Sequence, residues 1–307
     1  MVLEALAALS LPPALWLILR ARSVYTREAA VFRPLRGPVL PPPACEELEG
    51  LRDVTFLAAS GAAIKGWAVP TRNGAVIVMT HGSEADRSQL LPEARILGRH
   101  GYGVLLFDWP GHGESDGSVT WGKPECEALD AAIACAAGQP GVEPGRIGAL
   151  GFSMGGVMLA LVGARDRRVS AMVLEGTFAE ATEHVRYEYG RRLGLLMQWP
   201  ARLAARRAGF SIAAMRPVTA VPHIAPRPVL IVTGSDDWAV PSWMSRRVFE
   251  AAGDPKAFWV VPGAGHGRYI DHAPAEYADR LRRFFDEGLD RVHRFDATRD
   301  GPPESFM

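Results

Sequence analysis

Short apolar runs recur along most of the chain, each bounded by glycine, proline or polar residues. Runs of this length that are rich in Val, Ile and Leu predict strands. We expect strands at 54–58, 64–69, 75–80, 104–107, 146–150, 170–174, 228–232 and 257–261. Segments of helical spacing follow the third strand and alternate with later ones. They predict helices at 88–99, 124–137, 154–164, 242–252 and 274–286.

This order of elements predicts an α/β fold around one central sheet. The early strands have no helix between them, which predicts an antiparallel hairpin at one edge, and the later alternation predicts a mainly parallel sheet of about eight strands. In such sheets, functional groups gather at the carboxyl ends of the strands.

Composition narrows the classes of protein and of partner. With 307 residues, 48% apolar and 22% charged, the chain is long enough for one large globular domain. A formal net charge of zero argues against a nucleic-acid partner. Cys45, Cys126 and Cys135 form no CxxC pair, and the chain has no HExxH sequence. We therefore expect no disulfide framework, no metal and no cofactor.

One pentapeptide indicates nucleophilic catalysis. Residues 151–155 read Gly-Phe-Ser-Met-Gly, directly after a predicted strand and before a predicted helix. A serine on such a tight turn has its hydroxyl exposed, and glycine tolerates the crowding on either side. Ser153 is therefore the predicted nucleophile.

A serine hydroxyl needs a base, and the base needs an acid that orients it. His266, flanked by glycines after the last strand, is the predicted base. Asp237, in the loop after the strand at 228–232, is the predicted acid, and the neighbouring Asp236 is the alternative.

The tetrahedral intermediate also needs two backbone donors for its oxyanion. The amide of Met154, next to the nucleophile, is one expected donor. The other is expected in the loop after the third strand, at the amide of Ser83 or alternatively of Glu84, while His81 is expected to brace this loop.

These segments resemble the α/β-hydrolase fold serine hydrolases, a group that includes esterases, monoacylglycerol lipases and serine aminopeptidases. The resemblance rests on His81-Gly82, on 108–117, on 151–156, on 234–241 and on Gly265-His266, in the family's order of serine, acid and histidine. It spans about 54–285. The segments 53–56 and 224–230 are most similar to the bud-emergence-related hydrolases, some of which carry an N-terminal membrane anchor. The resemblance implies an α/β-hydrolase domain at 51–287.

The stretch between 175 and 226 interrupts the alternation of strands and helices. It contains helical patterns with many leucines and arginines, and we expect a small helical lid at about 179–215 over the nucleophile. An ordinary crossover helix with a long loop is the alternative. A lid would place apolar side chains where an acyl chain binds, so activity should depend on chain length.

The two ends of the chain carry separate expectations. Residues 2–19 are largely apolar but contain Glu4 and two prolines, and a membrane span needs about 20 apolar residues. Residues 1–22 are therefore expected to be a membrane anchor, with an interfacial helix or a helix packed on the body as alternatives. The arginines that follow favour a cytoplasmic catalytic domain. Residues 23–50 are expected to be a Pro-rich linker and 288–307 a mobile tail.

The sequence thus predicts a serine hydrolase that cleaves carboxylic esters or thioesters with an apolar acyl part through an acyl-enzyme. Its partner is a small ester or acyl substrate, and its location is a membrane surface or, alternatively, the cytoplasm. An amidase or aminopeptidase would use the same residues, and a non-catalytic binding protein of the same fold is a further alternative. Dehalogenase and epoxide-hydrolase chemistry is disfavoured because those relatives use an aspartate at the position of Ser153.

Overall fold

Eight strands form a single sheet, described here from a computed structural model. The structure describes residues 12–31, 34, 36–40, 47–188, 193–207, 209 and 211–299. Every predicted strand is present, within two residues of its predicted bounds. The strands are β1 (Arg52–Leu57), β2 (Ala63–Val69), β3 (Val76–Thr80), β4 (Gly103–Phe107), β5 (Ile147–Phe152), β6 (Val169–Glu175), β7 (Val229–Gly234) and β8 (Lys256–Val261).

The strands lie in the order β1-β2-β4-β3-β5-β6-β7-β8. Strand β2 is antiparallel to both β1 and β4, and all other neighbouring strands are parallel. The predicted edge hairpin and the predicted mainly parallel sheet are therefore confirmed. Strand β5 lies between β3 and β6, so the turn that follows it is at the middle of the sheet's carboxyl edge.

The central strands are buried on both faces, which explains why their sequences read as continuous apolar runs. Successive residues of β3 belong to different cores: Val76 and Val78 pack on one face, and Ile77 and Met79 on the other. Helices cover both faces, as the alternation of elements predicts.

The predicted helices are all present. They are α2 (Leu91–Arg99), which follows a short turn of 3₁₀ helix, α3 (Lys123–Ala137), α4 (Met154–Gly163), α8 (Ser242–Ala251) and α10 (Pro274–Arg299). Short helices α7 (Pro217–Ala220) and α9 (Tyr269–His272) complete this set.

The last helix is longer than predicted. It continues past the expected end at 286 to Arg299, so the segment expected to be a mobile tail from 288 onward is helical as far as 299. The reason is the apolar stripe of Tyr277, Leu281, Phe285 and Leu289, all buried, which keeps helical spacing beyond 286. Residues 300–307 of the expected tail lie outside the described residues.

The N-terminal helix also differs from its prediction. Helix α1 (Pro13–Val31) begins at a proline, a residue suited to the first helical position, and it extends into the segment expected to be a linker. Within the described residues, we find no helix with the length and apolar character that crossing a membrane requires. Residues 1–11 of the expected anchor are not among the described residues.

Two helices occupy the region of the expected lid. They are α5 (Ala181–Glu188) and α6 (Leu193–Arg207), which follow the carboxyl end of β6. Helix α1 packs against α6, where Arg207 donates a hydrogen bond to the Tyr25 hydroxyl at 2.7 Å and Val24 is buried. The N-terminal helix therefore packs on the second helix of this region.

Candidate active site

The turn between β5 and α4 holds Ser153 in a strained conformation. Its φ of 52° lies in the left-handed region, which non-glycine residues rarely adopt. A Cβ atom on Gly155 would lie 2.1 Å from the carbonyl oxygen of Thr80, and one on Gly151 would lie 2.6 Å from the Gly155 backbone. Both glycines are therefore required for this close approach.

His266 lies between Ser153 and Asp237. Its Nε2 is 3.0 Å from the Ser153 Oγ, and its Nδ1 is 2.7 Å from the Asp237 Oδ2. The Asp237 side chain is fully buried, and its Oδ1 accepts hydrogen bonds from the amides of Ala239 and Val240. The structure thus brings together the three side chains that the sequence singles out, from the ends of β5, β7 and β8.

The Asp236 side chain has a different partner from that of Asp237. It is exposed, and its carboxylate accepts a hydrogen bond from the Ser235 hydroxyl at 2.7 Å. Asp237 is therefore the carboxylate that contacts His266.

Two further residues shape the space around the imidazole, and neither was singled out by sequence reasoning. The ring of Phe152 packs against that of His266 with centroids 4.9 Å apart. A Cβ atom on Gly176 would lie 3.0 Å from the His266 Cε1. Phe152 is the variable residue before the serine in the pentapeptide, so only its place in that motif could have indicated its role.

The two expected oxyanion donors lie on the helix that follows Ser153 and in the loop that follows β3. Met154 is the first residue of α4, where the amides have no partner within the helix. Ser83 lines the cavity that contains Ser153, as does the alternative, Glu84. Among the described residues, neither the Ser83 nor the Met154 amide donates a hydrogen bond to another group.

His81 fixes the peptide that carries the Ser83 amide. The amide of Trp109 donates to the His81 Nε2 at 3.1 Å, so Nδ1 carries the proton and donates to the Gly82 carbonyl at 2.7 Å. Burial, reinforced by the nearby His112, lowers the pKa of His81 to about 3, and the ring stays neutral. The Gly82 carbonyl and the Ser83 amide share one peptide plane, so His81 orients this donor as the sequence suggested.

A buried ion pair joins the end of the loop after β3 to the turn after β4. The Arg87 guanidinium bonds the carboxylates of Asp108 and Glu114, and the Arg87 and Asp108 side chains are almost fully buried. Asp108 also accepts from the Glu114 amide, which closes the turn after β4. Asp108 therefore braces the turn at 108–117.

A large cavity opens at the serine. It has a volume of about 980 Å³ and is bounded by the Ser83 loop, by residues 238–240 and by both helices of the expected lid. Its apolar lining includes Trp121, Phe178, Val185 and Ile212. The cavity can therefore hold an apolar group covalently attached to Ser153.

Comparison with known proteins now identifies the family. The family model described as the alpha/beta hydrolase family matches residues 77–280, which is more than half of the chain. The chain belongs to the alpha/beta hydrolase family. An uncharacterized protein of Mycobacterium tuberculosis, Rv2307c, is 32% identical over 270 residues, covering 84% of this chain and 86% of that protein.

Solved structures of other hydrolases share the fold. The Pyrococcus furiosus esterase Pf2001 superposes with a TM-score of 0.69 at 20% identity, covering 84% of this chain and 98% of the esterase. The alpha/beta hydrolase GrgF from Penicillium sp. superposes with a TM-score of 0.65 at 22% identity, covering 78% and 99%. At identities of 20% and 22%, these superpositions show a shared fold.

Two buried carboxyl groups, of Glu93 and Glu175, lie near each other, and Glu175 also contacts the backbone of Ser153. Glu175 ends strand β6, its carbonyl accepts from the Ser153 amide at 2.8 Å, and its Oε1 accepts from the Tyr277 hydroxyl at 2.6 Å. Burial, followed by the charge of Glu93, raises the pKa of Glu175 to about 8. Burial likewise raises the pKa of Glu93 to about 7. Sequence reasoning missed both residues because the pair forms only in the tertiary structure.

The raised pKa of Glu175 makes stability depend on pH. The unfolded carboxyl ionises near 4.5, whereas the folded one stays protonated to about 8, so stability is present below the lower value and lost as pH rises towards the upper. The Glu175→Gln variant mimics the protonated form. We expect its melting temperature, relative to wild type, to be higher by at least about 3 °C at about pH 9 than at about pH 5. An equal difference at both pH values would contradict the assignment.

Proposed function

We propose that this hydrolase cleaves carboxylic esters or thioesters with an apolar acyl part, through a covalent intermediate on Ser153. The observation that carries the proposal is the hydrogen-bonded line from Ser153 through His266 to Asp237. A nucleophile, a base and an orienting acid at these distances are the parts that acyl transfer needs.

In the proposed reaction, the Ser153 oxygen attacks the substrate carbonyl while His266 Nε2 takes its proton. Asp237 holds the imidazole with Nδ1 protonated and stabilises the imidazolium that forms. The amides of Ser83 and Met154 bind the oxyanion, each contributing about 3 kcal/mol in favourable cases. His266 then protonates the leaving group, and it next activates the water that releases the acid and regenerates Ser153.

The apolar part of the cavity supports an apolar acyl group. Helices α5 and α6 contribute Val185 and Ala205, and the segment after them contributes Ile212. We propose that these helices act as the lid over the acyl group. Because each buried methylene contributes about 0.8 kcal/mol, longer chains should be preferred over acetyl.

The test is turnover of a panel of p-nitrophenyl esters, thioesters and anilides of graded chain length. The proposal expects octanoyl esters or thioesters to be cleaved with higher kcat/KM than acetyl ones. Equal turnover of acetyl and octanoyl esters would contradict the lid. Cleavage of the anilides alone would instead indicate an amidase or aminopeptidase.

We further propose that helix α1 holds the hydrolase at a membrane surface, on the cytoplasmic side. Leu15, Ile18 and Leu19 are exposed on its first turns, directly before Arg20 and Arg22. Apolar side chains next to arginines suit an interface with anionic lipids. The contacts of α1 with α6 support the alternative of a helix that packs on the body.

Detergent-free fractionation distinguishes these two roles of α1. We expect the intact chain to pellet with anionic vesicles at low ionic strength, and the Leu15→Ser, Ile18→Ser, Leu19→Ser triple variant to stay in the supernatant. The control is Leu57→Ser, an exposed leucine on the edge strand β1. An intact chain that remains entirely in the supernatant would rule out the membrane role.

A further inference from the structure

Three aromatic rings from separate segments stack along the active-site cavity. Trp121 precedes α3, Phe178 follows β6, and His184 belongs to lid helix α5. The rings of Trp121 and Phe178 are within 8° of parallel, with centroids 6.4 Å apart. Those of Phe178 and His184 are within 6° of parallel, with centroids 5.1 Å apart. The stack therefore connects the body of the hydrolase to its lid, in the same cavity as Ser153.

The backbone of Trp121 is strained. Its φ of 49° lies in the left-handed region, which costs a bulky residue about 1–2 kcal/mol. Such a conformation persists only where the surroundings impose it, and it is most frequent at ligand and catalytic sites. The strain indicates that the indole is held in place for a reason other than the stability of the loop.

Glu125 imposes this conformation. The residue is completely buried in the first turn of α3, and its carboxylate accepts three hydrogen bonds from the residues on either side of Trp121. They come from the Thr120 amide at 2.7 Å, the Thr120 hydroxyl at 2.8 Å and the Gly122 amide at 2.7 Å. Hydrogen bonds to a buried carboxylate are strong, and the helix N-terminus stabilises its charge. The loop is therefore clamped on both sides of the indole.

We propose that Trp121 is a specificity-determining residue for the acyl part of the substrate and that Glu125 is its positioning residue. The proposal rests on the proposed ester hydrolysis at Ser153. An acyl chain attached to Ser153 follows the cavity along the aromatic stack, towards the small or aliphatic side chains of Ala181, Val185 and Ile212. A medium-length chain buries apolar surface against the indole, whereas an acetyl group ends close to the oxyanion donors.

The test compares kcat/KM for p-nitrophenyl octanoate and p-nitrophenyl acetate. We expect Trp121→Ala to lower the octanoate-to-acetate ratio at least about tenfold, mainly by raising KM for octanoate. Glu125→Gln replaces an acceptor by an amide group that cannot accept both backbone donors. It should change the ratio in the same direction by a smaller factor, and Trp121→Phe should restore part of the preference.

Controls separate specificity from folding. Trp199→Ala removes an indole that is 69% exposed on α6 and does not line the cavity, and it should leave the ratio unchanged. Trp121→Gly removes the same contacts but adopts a positive φ without strain, so it tests the proposal if the alanine variant folds poorly. A ratio that stays within about twofold of wild type, or that rises, would overturn the proposal.

A binding measurement distinguishes failure of this proposal from failure of ester hydrolysis. The Ser153→Ala protein is titrated with sodium octanoate by calorimetry, with and without Trp121→Ala. If no ester is cleaved but Trp121→Ala weakens octanoate binding about tenfold, the hydrolysis proposal fails and the role of Trp121 in acyl binding stands. If esters are cleaved with an unchanged ratio and binding is unchanged, the proposed role of Trp121 fails alone.

Discussion

Replacing Ser153 by alanine is expected to lower kcat for p-nitrophenyl butyrate by about 10⁵-fold or more, to the level left by the oxyanion donors and binding alone. The alanine has no oxygen to attack the carbonyl. It also has no hydroxyl proton for the imidazole of His266 to accept, which in the wild type lies 3.0 Å from the Ser153 oxygen. Initial rates with purified protein, corrected for hydrolysis in buffer, measure this loss.

The control for the serine variant is Ser60→Ala. Ser60 is exposed in the turn between β1 and β2, far along the chain from the cavity, and its replacement should leave kcat unchanged. The melting temperature of Ser153→Ala should stay close to that of wild type, because the hydroxyl is hydrogen-bonded to the half-buried His266 and its loss leaves the backbone contacts of the turn in place. A Ser153→Ala protein with more than about a hundredth of wild-type activity would contradict the role of this serine.

The second large effect is expected from Asp237→Asn, with a fall in kcat of about 10⁴-fold. The asparagine oxygen can still accept from the amides of Ala239 and Val240, so the loop is preserved. Its amide nitrogen would then face His266 Nδ1 as a donor. The His266 ring then accepts this hydrogen bond at Nδ1 and carries its own proton on Nε2. An Nε2 that is already protonated cannot take the proton of Ser153.

The neighbouring Asp236 supplies the matched control for this variant. Asp236→Asn makes the same chemical change one residue away, on an exposed carboxylate that contacts Ser235 rather than His266. We expect its kcat to remain within about threefold of wild type. If the two variants lost equal activity, the geometry that assigns the acid to Asp237 would be wrong.

The strands and the serine turn could be predicted from the sequence because their signals are local. Apolar runs buried on both faces are continuous in sequence, and the crowding around Ser153 requires glycines at the neighbouring positions 151 and 155. Asp237 and Asp236 could not be separated with the same clarity. Which carboxylate turns inward is set by the two amides at 239 and 240, and a sequence does not show the direction of a loop side chain.

Other features depend on contacts between distant segments. Glu93 lies on α2 and Glu175 at the end of β6, and they come near each other only in the folded chain. The Trp121 stack likewise combines a loop, the segment after β6 and helix α5. The last helix extends past its predicted end at 286. Its apolar stripe continues to Leu289, and that spacing was the available signal.

A covalent probe reports directly whether acyl transfer occurs on Ser153. The protein is treated with a fluorophosphonate, digested, and the modified peptide is located by mass spectrometry. We expect one adduct, on the serine of the peptide that contains residues 151–155, and no adduct in the Ser153→Ala variant. An adduct on another residue, or labelling that survives in the variant, would contradict it.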